Sequence, residues 1–143
     1  MTAFATGHVG LNVADLDRSV DFYAQVFGFD VKQRGDGFAF LGDEERLVLT
    51  LWRQSDGAFA TDRPGLHHLS FEVGSVDEVR AAEERVRAAG VRLHHDGIVP
   101  HGEGASSGGI FFEDPDGIRL EIFTGAGVQG SAPSGAAPTC GFF

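Results

Sequence analysis

Residues 8–13, His-Val-Gly-Leu-Asn-Val, put large apolar groups at Val9, Leu11 and Val13, with His8, Gly10 and Asn12 between them. A period of two reads as a half-buried strand. About 60 residues later the pattern returns as His68-Leu69-Ser70-Phe71-Glu72-Val73, with His68 standing where His8 stands. The segment after each strand is repeated too. Leu16, Val20, Tyr23 and Phe27 form one helical stripe, opened by Asp15 as N-cap and closed by Gly28. Strands are predicted over residues 29–34, 38–41 and 47–52, separated by turns at Gly35-Asp36-Gly37 and Gly42-Asp43-Glu44-Glu45. In the second half, Ser75 and Glu78 make a capping box. Val76, Val79, Ala82, Val86 and Ala89 carry the stripe, and Gly90 ends it. Further strands are predicted over 91–95, 109–113 and 118–123, with a long loop over 96–107 and a β-turn at Asp114-Pro115-Asp116-Gly117. The pattern therefore predicts β-α-β-β-β twice. The fold class is α+β, built from two tandem βαβββ modules at about 7–53 and 65–124. Residues 54–64 join them, and together residues 1–124 make one domain.

Composition narrows the partners. With 143 residues and a formal charge of −10, the chain can bury a real core but lacks the positive surface that nucleic acid or an anionic membrane requires. A single cysteine excludes an intrachain disulfide framework and a Cys-rich zinc site. No apolar run reaches membrane-spanning length, and the first residues lack a basic, then apolar, leader. The expectation is a cytoplasmic protein with a small-molecule ligand. Residues 125–143 are rich in Gly, Ala, Ser and Pro, a composition that cannot form a core of its own. Ordering them costs about 1–2 kcal/mol of backbone entropy per residue. Phe142 and Phe143 are the large apolar groups able to offset that, apart from Val128. An ordered tail is expected to bury one of the two against a concave site or a partner chain, as a lid.

Three side chains carry the candidate chemistry. His8 and His68 occupy matched strand positions, and Glu121 interrupts the apolar strand Ile118-Arg119-Leu120-Glu121-Ile122-Phe123. A carboxylate inside such a strand is costly unless it is paired or metal-bound. A single strand histidine is more often structural, but a matched pair with an interior Glu fits a divalent-metal site. Two imidazoles and one carboxylate suit Fe(II) first, and also Mn, Zn, Ni or Co. His67, next to His68 on an alternating strand, is expected to face outward. No organic cofactor is indicated.

Three stretches together resemble the vicinal oxygen chelate superfamily, which includes glyoxalase I, extradiol dioxygenases, bleomycin-type drug binders and fosfomycin-resistance enzymes. They are His8-Val9-Gly10-Leu11-Asn12-Val13 with Asp15 to Tyr23, Gly65-Leu66-His67-His68-Leu69-Ser70-Phe71, and Asp114-Pro115-Asp116-Gly117-Ile118-Arg119-Leu120-Glu121. The resemblance covers residues 7–124. It implies modules whose mixed sheet curves into a cup around a metal, with His8, His68 and Glu121 at ligand positions, and commonly a homodimer in which modules pair across chains.

Departures from the family pattern sort the activities. Glyoxalase I, and methylmalonyl-CoA epimerase of the same superfamily, place an acid or amide where the internal repeat puts Thr50, a poor metal ligand, so this position is expected to be left to water or substrate. The remaining His/His/Glu set resembles extradiol dioxygenases and fosfomycin-resistance enzymes; the first also carry a Tyr and a separate catalytic His. That Tyr is replaced near Phe111, and His94, His95 and His101 are the candidates for a catalytic base. Gly102-Glu103-Gly104-Ala105-Ser106 resembles the cation loop of fosfomycin-resistance enzymes, although Gly10 stands where those carry Thr. The expected function is a metal-dependent enzyme for a substrate with adjacent oxygens, first an extradiol-type dioxygenase or glyoxalase relative. Antibiotic modification is the second reading, and metal-free drug binding the third.

Overall fold

The computed structural model describes residues 1–133 and 137–143. Ser134 to Ala136, part of the expected tail, lie outside the described residues. The chain divides into two compact units, Met1–Ala58 and Phe59–Phe143, and the expected linker straddles the division.

The first unit contains β1 (Val9–Asn12), α1 (Leu16–Phe27), β2 (Asp30–Gly35), β3 (Phe38–Gly42) and β4 (Leu47–Trp52), with the sheet in the order β1-β4-β3-β2. The Asp15 carboxylate accepts from the Arg18 N–H, and Gly28 takes the left-handed conformation at φ 70°. β1 runs parallel to β4, and β3 and β2 continue antiparallel. Register decides which side chains share a face. Leu11 stands opposite Leu51, Leu51 opposite Ala39 and Leu49 opposite Leu41. These are all buried and make the face that α1 covers with Val20, Tyr23 and Val26. The opposite face carries Gly10, Thr50 and Phe40 in one row and Asn12, Trp52 and Phe38 in the next.

The second unit repeats this order. It holds β5 (Leu69–Val73), α2 (Val76–Ala88), β6 (His94–Pro100), β7 (Gly108–Glu113) and β8 (Arg119–Thr124), arranged β5-β8-β7-β6. Ser75 caps α2: its Oγ accepts from the Glu78 N–H and donates to the Glu78 carboxylate. Ile110, Phe112, Leu120 and Ile122 share one buried face, packed under Val79, Ala82 and Val86 of α2. The fold is thus α+β, two helices and two four-stranded mixed sheets of identical strand order.

One strand differs from the sequence expectation. Residues 91–95 read as a strand and 96–107 as a loop, because the stretch contains Pro100, Gly102 and Gly104. The strand instead runs His94–Pro100: a register shift between His94 and Val99 takes up Asp96 and Gly97 as a bulge, and Pro100 pairs with Gly108 at the strand end. His95 (φ 62°), Asp96 (φ 61°) and Gly97 (φ 150°) all have positive φ there. His and Asp are among the non-glycine residues that tolerate this region best.

The tail is ordered where it is described. Val128 is buried, and its N–H donates to the Ser106 carbonyl at 2.8 Å. A short 3₁₀ turn, Thr139–Gly141, seats Thr139 fully buried. Its N–H donates to the His101 carbonyl and its hydroxyl to the Pro100 carbonyl, each at 2.7 Å.

Candidate functional site

Chemistry collects on the face of the second sheet turned away from α2. Along β8, Leu120 and Ile122 point to the helix and Glu121 points the other way. In the ladder Ser70 and Phe111 flank Glu121 on its two sides. Glu121 is 3% exposed, so its charge needs partners. Ser70 Oγ donates to Oε1 at 2.6 Å. His101 Nε2 lies 2.6 Å from Oε2, and an ionised Glu121 requires the proton on that nitrogen. His101 Nδ1 then accepts from Ser107 Oγ at 2.9 Å. The buried carboxylate is therefore fixed at both oxygens, in a chain from Ser107 through His101 and Glu121 to Ser70.

His68 immediately precedes β5, two residues before Ser70, and reaches the same face. Its Nε2 stands 3.9 Å from Glu121 Oε1. Burial holds the His68 imidazole below its usual range; Glu121 opposes that, while His67 and Arg119 reinforce it. Neutral imidazole is the form that binds metals. His67 is exposed, as expected, and its Nδ1 lies 2.8 Å from His68 Nδ1. The tautomer with the His68 proton on Nδ1, bonded to His67, leaves the Nε2 lone pair on the Glu121 side.

The other histidines divide. His94 pairs with Phe111 in the ladder, and its Nε2 is 3.3 Å from Glu113 Oε2. His95, on the bulge, has Nε2 2.9 Å from the Phe142 carbonyl oxygen and accordingly donates to it. His8 is exposed and directly precedes β1. Its place relative to the ladder matches that of His68, since Gly10 pairs with Thr50 as Ser70 pairs with Glu121. Thr50 is buried, and its hydroxyl accepts from the Trp52 indole N–H at 2.9 Å. Burial pushes the Cys140 thiol up and the charge of Glu121 adds to this, so it is a poor nucleophile.

Among the described residues no three His, Cys, Asp or Glu side chains form a ready ligand group for a metal ion. His68 and Glu121 nonetheless fit one as a pair. Metal bonds of about 2.0–2.3 Å allow one ion to touch both atoms across their 3.9 Å separation. The carboxylate is oriented, and the imidazole is held neutral with its second nitrogen bonded, as ligating groups usually are. Sequence reasoning missed Ser70, Ser107 and Arg119. Ser70 was legible as the residue two after His68 on an alternating strand, whereas Ser107 and Arg119 carried no such signal.

The family model of the Glyoxalase/Bleomycin resistance protein/Dioxygenase superfamily matches residues 5–122. The chain belongs to this superfamily. Relatives within it differ in activity. The chain is 29% identical over 120 residues to catechol-2,3-dioxygenase of Bacillus subtilis, covering 82% of this chain but spanning only 40% of that protein's length. It is 32% identical over 117 residues to a trivalent organoarsenical cleaving enzyme of a Bacillus species, covering 81% of this chain and 70% of the relative. It is also 32% identical over 128 residues to lactoylglutathione lyase of Neisseria meningitidis, covering 80% and 86%. Among solved structures, a superfamily domain from Frankia superposes with TM-score 0.71 at 29% identity, covering 87% of this chain and 99% of that one. A fosfomycin resistance protein from Listeria monocytogenes reaches TM-score 0.67 at 21% identity, covering 88% and 96%, and shares the fold.

Proposed function

We propose that the protein is a divalent-metal-dependent enzyme of the extradiol dioxygenase type, acting on a small molecule with adjacent oxygens. The observation that carries this is the buried, doubly bonded Glu121 beside a neutral His68. In this reading His68 and Glu121 are metal ligands and His8 is the third, supplied by the first module or by a second copy in a homodimer. The favoured ion is Fe(II). Bound there, the metal would hold and polarise two neighbouring substrate oxygens.

The chain's own residues do the rest. Ser70 and His101 hold both Glu121 oxygens and keep the carboxylate aimed. Arg119, whose guanidinium lies over the ring position now taken by Phe143, offsets negative charge on a deprotonated substrate. His95 and His101 are each committed to other partners. His94, oriented by Glu113 and 5.7 Å from that ring position, is the base that takes the substrate's hydroxyl proton. Thr50, at the register place of Glu121, supports this reading over the glyoxalase type, which needs a fourth strong ligand there.

The test is elemental analysis of protein purified without chelator, followed by oxygen uptake with catechols. About one iron per chain and catechol-dependent oxygen uptake are expected, with uptake lost in His94→Gln while iron is retained. Retained metal without oxygen uptake would move the reading to addition chemistry on an antibiotic. Absence of metal affinity would move it to a drug-binding protein. The cytoplasm is the compartment this reading assumes.

A further inference from the structure

The place beside His68 that a small molecule would take is filled by the chain itself. The Phe143 ring lies 5.6 Å from the His68 ring, 5.7 Å from His94 and 5.3 Å from Phe111, centre to centre. Arg119 places its guanidinium carbon 5.6 Å from the centre of the same ring. A phenyl group thus sits in a slot made of imidazole, phenyl and guanidinium, all on the face that carries Glu121. Two anchors hold it there. Thr139 is tied to the Pro100 and His101 carbonyls, and His95 donates to the Phe142 carbonyl from a bulge with positive φ. These anchors are polar and few, and Phe142 itself is 52% exposed, so the segment is fixed at the turn and lightly held beyond it.

We propose that residues 138–143 form a self-inhibitory strap. Phe143 occupies the slot over His68 that a planar ligand must enter, and the ligand binds by displacing it while Thr139 stays seated. The buried turn makes the hinge end, and the bond from His95 to the Phe142 carbonyl is the latch. A protein whose binding-competent form is only a fraction of the population binds more weakly by that fraction. The strap therefore sets ligand affinity without contacting the metal ligands through hydrogen bonds.

The experiment uses the full chain and Phe143→Ala, which removes the ring and leaves the Thr139 anchor. The first readout needs no metal and no activity: carbethoxylation of each histidine by diethyl pyrocarbonate, followed by peptide mass spectrometry, with exposed His8 as internal reference. His68 is expected to react about tenfold faster in Phe143→Ala, with His8 unchanged. The second readout is catechol binding by calorimetry, expected to tighten by a similar factor. His95→Phe, which removes the latch and keeps the ring, should give an intermediate rise in the His68 rate. Unchanged His68 reactivity in a Phe143→Ala protein of unchanged circular dichroism would overturn the strap. Weaker catechol binding in that variant would overturn it as well, since the ring would then be a wall of the site and not its occupant. Faster His68 reaction with no catechol binding by either protein supports the strap and counts only against the dioxygenase reading.

Discussion

Glu121 shows how a charge is kept inside a strand. Its two oxygens take one bond each, from a hydroxyl and an imidazole, both at 2.6 Å. Charge-assisted bonds of this length are roughly twice as strong as neutral ones. The consequence for binding can be tested one atom at a time. Ser70→Ala deletes the donor to Oε1 and is expected to weaken divalent-metal affinity about tenfold, read by Co(II) titration, and to cost the metal-free protein about 1–3 kcal/mol because a buried acceptor loses its partner. Glu121→Gln keeps the shape and removes the charge, and should lower the same affinity by about a hundredfold or more. If both variants bind Co(II) like the parent, Glu121 is a structural carboxylate and the proposed centre is wrong.

At the scale of elements, the site depends on how closely β7 lies against its neighbours. A Cβ built on Gly109 would stand 1.9 Å from the Ile122 carbonyl oxygen and 2.6 Å from the Phe123 Cα, both backbone. Neither can swing aside as a long side chain would. Gly109→Ala is therefore expected to destabilise by more than about 2 kcal/mol in urea unfolding, or to push β7 off β8. Because Gly109 pairs with Phe123, two residues from Glu121, the metal site should weaken with it. The caps give a smaller and cleaner effect: Asp15→Ala removes the acceptor for the Arg18 N–H and should cost about 1 kcal/mol, without touching metal binding.

For the whole molecule, the decisive residue is His8, because it belongs to the other module. It is exposed, so His8→Ala should leave the stability of the metal-free protein within about 0.5 kcal/mol. A ligand that binds the folded state at 100 times its Kd adds about 2.7 kcal/mol. That metal-induced gain, seen as a rise in Tm with Co(II), is expected in the parent and lost in His8→Ala. A full gain in the variant would remove His8 from the ligand set. Light scattering at micromolar concentration should give twice the chain mass of 15.2 kDa; a monomer that keeps its activity would contradict the shared-module arrangement.

The period-two strands, the two helices and their caps, and the doubling of the whole pattern were determined by local sequence, because each depends on residues a few positions apart. His68 and Glu121 were also legible: one from its repeat of His8, the other as a carboxylate in an apolar strand. The internal repeat already put Thr50 at the place of Glu121, and ladder register was needed to show that Ser70 faces Glu121. The strand His94–Pro100 was hidden for a related reason: it forms around a bulge that exists only against β7. His101 was left undecided because its role rests on Glu121, 20 positions away, which only the folded loop brings into bonding distance. The tail was the hardest case. Composition described 125–143 as unable to build a core, correctly, and foresaw that Phe142 or Phe143 would be needed. Tertiary structure chose between them: Phe142 stays exposed and Phe143 enters the slot. The strongest anchor is the small polar Thr139, whose value comes from the two carbonyls of Pro100 and His101 that the fold presents to it at the end of β6.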